Sequence, residues 1–174
     1  MTKIGLISDT HSWLDERVFH HFKDCDEIWH AGDIGAEQVT DALGDFKPLR
    51  CVYGNIDGHL LRAQFPLNNR FEIEGMDVWI THIGGRPGRY DQRVRDELRT
   101  NPPNIFICGH SHILKVEFDK KLNTLYLNPG AAGKHGFHRV RTLLRFDIAE
   151  GKVKNMEVIE LGKRGALSAD DPET

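Results

Sequence analysis

The sequence predicts a single α/β domain. Short apolar runs that stop at polar turns alternate with helix-patterned segments over the first two thirds of the chain. The last third switches to apolar/polar alternation around two tight turns, the pattern of β-hairpins. The 174 residues suffice for one core. The domain is expected over 1–161, with the small polar stretch 162–174 as a disordered tail.

Each element has its own signal. "KIGLIS" (Lys3 to Ser8) reads as a buried strand, and Glu16 to Phe22 as a short helix. "EIWHAGD" is a second strand ending at a Gly-Asp turn. In Ala36 to Phe46, Val39, Ala42, Leu43 and Phe46 fall at helical intervals, and Gly44 marks the approach of the end. "PLRCVYGN" is a third strand. "RFEIEGMDVWITHIGG" holds two strands around Glu74-Gly75, then a glycine-rich loop. "DQRVRDELRTNPP" is a helix stopped by Pro102 and Pro103, with charges on several faces as on a solvated surface helix. "IFICGHSH" is a further strand, and hairpins follow around "DKKLN" and "AEGK".

Composition excludes several classes. Hydrophobic residues are 39% and charged residues 28%, ordinary for a soluble globular protein. A net charge of −3 gives no general attraction to nucleic acid or anionic membrane. No run is apolar for long enough to span a bilayer, and the first residues lack a signal-peptide pattern, so the expected compartment is the cytoplasm. Cys25, Cys51 and Cys108 are odd in number and widely spaced, the usage of reduced core thiols. The ten histidines are dispersed.

Five apolar strands end in polar turns: "SDTH", "HAGD", "GNID", "ITH" and "CGHSH". In open α/β sheets, loops at the carboxyl ends of strands converge on one rim. Asp9, His11, Asp33, Asn55, His82, His110 and His112 would then meet there. Carboxylate, carboxamide and imidazole suit Mn, Fe, Ni or Zn. Seven side chains are too many for one tetrahedral zinc, and about right for two divalent ions. Each turn alone is an ordinary cap or turn; five in this order are not chance.

Those motifs resemble the calcineurin-like metallophosphoesterases. Their pattern, D-x-H, G-D, G-N-H-D/E, H, then G-H-x-H, is matched by Asp9-Thr10-His11, Gly32-Asp33, Gly54-Asn55-Ile56-Asp57, His82 and Gly109-His110-Ser111-His112. The short length and the segment "NPGAAG" are similar to the small phosphodiesterases of bacteria and archaea, a subgroup that includes the non-catalytic retromer scaffold subunit of eukaryotes. The resemblance implies two packed β-sheets flanked by helices, with metals at the rim. It implies one ion on Asp9, His11, Asp33 and His112, the other on Asp33, Asn55, His82 and His110, and Asp33 as the bridge. A metal-bridging hydroxide would attack phosphorus. Asp33, Asn55 and Asp57 are the expected catalytic set, with manganese the leading metal. Asp57 would hold the turn or support a ligand such as His11, and His30 would be structural or stand behind the ligands.

One position departs from the family. Ile56 stands where most members place a histidine thought to protonate the leaving oxygen. General-acid help of that kind is worth about 10²–10⁴ in rate. Substrates with good leaving groups, such as aryl phosphodiesters, are therefore expected, unless His59, His135 or His138 substitutes. "THIGGRPGRYDQR" brings Arg86, Arg89 and Arg93 near the rim, and "NPGAAGKHGFHRVR" brings Asn128, Gly130, His135, His138 and Arg139. Arg86, Arg89, His135 and His138 are the candidate substrate contacts, because arginine grips phosphate bidentately. The expected partner is a small phosphate ester; no membrane and no nucleic-acid polymer is expected, and a homo-oligomer is left open. The rivals are a scaffold on the same fold without turnover, and a dinuclear hydrolase of carbonyl substrates, which motif order argues against.

Overall fold

The computed structural model describes residues 1–165. It contains two five-stranded sheets packed face to face, four short helices on their outer faces, and a small extra hairpin. The first sheet has the order β12-β11-β1-β2-β3 and the second β4-β5-β8-β10-β9. The first comprises β1 (Thr2–Ile7), β2 (Glu27–His30), β3 (Leu49–Cys51), β11 (Val140–Ala149) and β12 (Lys152–Lys163). The second comprises β4 (Asn68–Ile73), β5 (Met76–Thr81), β8 (Ile105–Ile107), β9 (Lys115–Asp119) and β10 (Thr124–Asn128). The hairpin is β6 (Gly85–Arg86) with β7 (Arg89–Tyr90). The helices are α1 (Arg17–His21), α2 (Glu37–Phe46), α3 (His59–Gln64) and α4 (Gln92–Thr100).

Strand alternation sorts the apolar residues into three layers. Ile4, Leu6 and Trp29 of the first sheet meet Val78, Ile80, Ile105 and Ile107 of the second between the sheets, all buried. The alternate residues Ile7 and Ile28 face outward and pack with Val18 of α1, Val39 and Leu43 of α2 and Leu61 of α3. On the far side, Trp79, Phe106 and Tyr126 pack with Val94 and Leu98 of α4. Gly5 keeps β1 flat against α1: a Cβ there would sit 2.7 Å from the Phe22 ring.

Two sequence expectations need correction. Helix α4 is not solvated all round, because Val94 and Leu98, four apart on one face, are buried under the second sheet. The expected end of the domain at 161 falls inside β12, where Lys163 still pairs with Val140. The expected tail beyond residue 165 lies outside the described residues. Helix α3 and the β6–β7 hairpin carry too few residues to leave a periodic signal and were not anticipated.

The topology explains why chemistry gathers at one edge. Strands β1, β2 and β3 are mutually parallel, so their carboxyl ends share a rim. Strands β5 and β8 are parallel in the other sheet. Backbone hydrogen bonds tie the loops within each rim, Asp9 N–H to Gly32 O at 3.0 Å and His11 N–H to Asp33 O at 3.1 Å in the first and Gly109 N–H to His82 O at 3.1 Å in the second, while Gly133 N–H to Asp9 O at 3.0 Å joins the loop after β10 to the β1 loop.

Candidate metal centre

Six of the seven expected ligands converge. Ligand atoms of Asp9, His11 and His112 lie within 4.8 Å of one another, and so do those of Asp33, His82 and His110. Asp33 Oδ2 links the groups, 3.4 Å from His11 Nε2 and 3.2 Å from His82 Nε2. Asp9 Oδ1 lies 3.1 Å from His112 Nε2 and 3.8 Å from His82 Nε2. Asn55, the seventh, lines the same cavity of about 480 Å³ beside His11, Asp33 and His110.

The scaffold aims each carboxylate. Asp9 Oδ2 accepts from Ser8 Oγ at 2.6 Å and from the His110 backbone N–H at 3.2 Å, leaving Oδ1 toward the centre. Asp33 Oδ1 accepts from the Ile56 backbone N–H at 3.1 Å, leaving Oδ2 toward the centre. The Nδ1–H of His82 donates to the Ala31 carbonyl at 2.7 Å, which directs Nε2 inward. Asp9 Oδ1, His11 Nε2 and His82 Nε2 are buried without a hydrogen-bond partner. Buried polar atoms are rarely left so, and three converging on one point fit cations.

Charge is coupled across the cluster. Burial opposes ionisation of Asp9, and the imidazoles of His11 and His112 outweigh it, holding the carboxyl well below its usual range. Asp33 is held low in the same way, by His11 and His82 against burial. The carboxylates of Asp33 and Asp9 raise His11 to about 9. Burial works against a proton on His82, and the Asp33 carboxylate close to Nε2 with the charge of Asp9 reverses it. Burial and the charge of His82 lower His110.

Backbone geometry is unusual here. Asp9, His11, Ser12, Asp33, His110 and His112 all have φ between 45° and 69°, the left-handed region that non-glycine residues avoid. The other non-glycine residues of this kind, Glu74, Asn123, Glu150 and Asn155, lie in or near hairpin turns or a strand irregularity. Strain held at the ends of three strands, β1, β2 and β8, marks a functional rim. No sequence signal revealed it, because Asp and His are not residues that require positive φ.

The remaining expected residues separate by role. Asp57, placed in the expected catalytic set, is a positioning residue. Its buried carboxylate accepts the backbone N–H groups of Ile34 (3.1 Å), Gly35 (2.8 Å) and Gly54 (2.8 Å), clamping the Asp33 loop to the Asn55 turn. It does not hydrogen-bond to His11. His30 accepts from the Gly32 N–H at Nδ1 and meets Thr10 Oγ1 at 3.1 Å through Nε2; burial pushes it down to about 4, so it is a neutral strut. His135 stacks on His11 with centroids 4.8 Å apart. His138 packs edge-on to His112 and donates Nε2–H to the Gly133 carbonyl at 2.8 Å. Both line the cavity over the cluster, whereas Arg86 and Arg89 line a neighbouring one of about 530 Å³. Arg93 donates to Thr81 Oγ1 and the Ile83 carbonyl and lines a third cavity, of about 200 Å³, beside Asn55 and His82. Asn128 donates to Gly109 O and Ser111 Oγ, holding the His110 loop. Sequence reasoning did not anticipate Ser8, which ties down Asp9. Ile56 exposes its side chain at the cavity edge and contributes to the centre through its N–H alone.

With fold and centre in view, the comparisons with known proteins define a class. Residues 2–151 match the calcineurin-like phosphoesterase superfamily domain, and the chain belongs to that family. Among individual relatives, a protein of Methanothermobacter thermautotrophicus named "Probable metallophosphoesterase" is 34% identical over 134 residues, covering 74% of this chain and 76% of its own. A second from Methanocaldococcus jannaschii, with the same description, is 30% identical over 134 residues, covering 74% of this chain and 67% of its own. A solved structure described as a novel archaeal phosphodiesterase superposes with TM-score 0.70 at 22% identity, covering 90% of this chain and 99% of that one. Vps29 from Entamoeba histolytica superposes with TM-score 0.71 at 17% identity, covering 91% and 98%. At those identities the superpositions show a shared fold.

Proposed function

We propose that the protein is a dinuclear metal-dependent phosphodiesterase of small phosphate esters. The observation that carries this reading is the set of three unpartnered buried atoms converging between two carboxylates, each tied to the scaffold by its other oxygen. Asp9, His11 and His112 would hold one ion and His82, His110 and Asn55 the other, with Asp33 shared. Manganese leads among the metals that suit such donors, with Ni, Fe and Zn as alternatives. When bound, the pair supplies an activated nucleophile and neutralises charge on the phosphoryl oxygens.

The residues of the chain do the rest. Asp57 and Ser8 fix the carboxylates, and the neutral His30 braces the Thr10 hydroxyl and the Gly32 backbone. The apolar side chain of Ile56 faces the cavity, so that position delivers no proton to the departing oxygen. Turnover then depends on leaving-group acidity. The cytoplasm remains the proposed compartment; no helix among the described residues is long and apolar enough to cross a membrane.

A second reading, a binding protein on the same fold without turnover, has Ile56 in its favour and the complete ligand set against it. Assay of bis(4-nitrophenyl) phosphate with Mn²⁺, with and without Asp33→Ala, separates the two. Turnover that needs Asp33 supports the enzyme. No Asp33-dependent turnover with any divalent metal supports the scaffold.

A further inference from the structure

The cavity of about 530 Å³ beside the metal centre has a distinct charge. It shares His110, Ser111 and Ile113 with the cavity over the cluster, so the two form one groove across the His110 loop. Its far wall is the β6–β7 hairpin, where Arg86 pairs directly with Arg89 across a Pro87-Gly88 turn. Like charges directly opposite on paired strands destabilise a hairpin. Among the described residues neither arginine is in an ion pair. Arg95 lines the same cavity, with Nε committed to the Tyr90 carbonyl.

A hairpin with strands of two residues would not hold this arrangement alone. It is fastened at four points. Tyr126 Oη donates to the Gly85 carbonyl at 2.6 Å, and the Asp91 N–H to the Gly84 carbonyl at 2.9 Å. Tyr90 Oη donates to Asp119 at 2.7 Å. Gly84 packs so closely on β8 that a Cβ would fall 2.3 Å from Cys108 Sγ. The scaffold thus fixes two unpaired guanidinium groups against repulsion, at the end of a groove that begins at the metal centre.

We infer that this cavity binds a second phosphate group of the substrate, so that the preferred esters carry one phosphate at the metal centre and another gripped by Arg86 and Arg89. Paired guanidinium forks match phosphate oxygens, and the volume admits the intervening nucleoside-sized moiety. The inference deepens the phosphodiesterase reading and rests on it for the first phosphate.

The test is calorimetric titration of the Mn²⁺-loaded protein with thymidine 3′,5′-bisphosphate and with thymidine 5′-monophosphate. The bisphosphate is expected to bind about tenfold more tightly or better, with a preference that falls as salt rises. Arg86→Ala/Arg89→Ala is expected to erase the preference, and Arg86→Lys/Arg89→Lys to keep part of it, with melting curves showing that each variant folds. Equal affinity of the wild type for both ligands, or a preference surviving in a folded alanine variant, overturns the inference. Wild-type turnover of bis(4-nitrophenyl) phosphate reports separately: its absence sinks the phosphodiesterase reading while the bisphosphate preference still decides this one.

Discussion

Gly54→Ala would probe how the centre is held. Gly54 precedes Asn55 and packs on Asp33: a Cβ there would lie 2.1 Å from Asp33 Oδ1 and 2.3 Å from its backbone nitrogen. A rotamer change relieves the first contact and not the second. The Asp33 loop is itself pinned, by the His11 N–H on the Asp33 carbonyl and by Asp57 on the Ile34 and Gly35 N–H groups. Relief therefore needs the two loops to part by ~1 Å, which pulls Asp33 away from the Ile56 N–H. Misplacement on that scale costs about 10²-fold in rate, and overpacking costs about 1–3 kcal/mol in stability. The assays are kcat/KM for bis(4-nitrophenyl) phosphate with Mn²⁺, calorimetric Mn²⁺ titration, and urea unfolding. Gly58→Ala is the control in the same segment, because a Cβ at Gly58 meets nothing within 4 Å. A folded Gly54→Ala protein whose activity and Mn²⁺ affinity match those of Gly58→Ala would refute the clamp.

Four further outcomes are expected. The rate with a series of diesters should fall steeply as leaving-group pKa rises, and Ile56→His should help alkyl esters more than aryl ones, toward the ~10²–10⁴ available to a general acid; a flat dependence in the wild type would contradict this. Arg141 is wholly buried and donates to Asp15 Oδ2 at 2.7 Å, so Arg141→Met, which leaves the buried carboxylate to the partly exposed Arg17 alone, should lower unfolding stability in urea by up to about 3 kcal/mol, the low end of the cost of breaking a buried ion pair. Burial opposes the Asp15 charge, yet Arg17 and Arg141 bring its pKa down to about 2 from 3.8. Since the folded value is the lower one, this stabilisation, about 2 kcal/mol, is complete above pH 4 and lost as pH falls toward 2; Asp15→Asn should flatten that limb of an acid titration followed by circular dichroism. Cys25, Cys51 and Cys108 are buried, with burial raising Cys25 to about 11 and the other two upward, so a thiol reagent at mildly alkaline pH should label them only after unfolding.

Much of the site was legible because its ligands lie at strand ends. An apolar run halted by Asp, His or Asn is a local signal, and five such halts name the residues without any knowledge of what faces what. Ile56 was equally legible, as an apolar residue inside a polar turn. Asp57 was only half so: sequence allowed it to support His11 or to hold its own turn. The hydrogen bonds that assign it to the turn cross from residue 57 to residues 34 and 35.

The amino-acid order by itself therefore determined the strands of the two main sheets, the two hairpins of the last third and the identity of the convergent side chains, since burial periodicity and turn chemistry act over a few neighbouring residues. Tertiary structure alone decided how they are used. The burial of one face of α4, the left-handed backbone at six rim residues, the neutral strut at His30, and the tethering of Arg93 to Thr81 while Arg86 and Arg89 face the larger cavity all depend on contacts between segments far apart in the chain. No local pattern encodes such contacts, because the free energy that fixes them comes from groups that meet only once both sheets have packed.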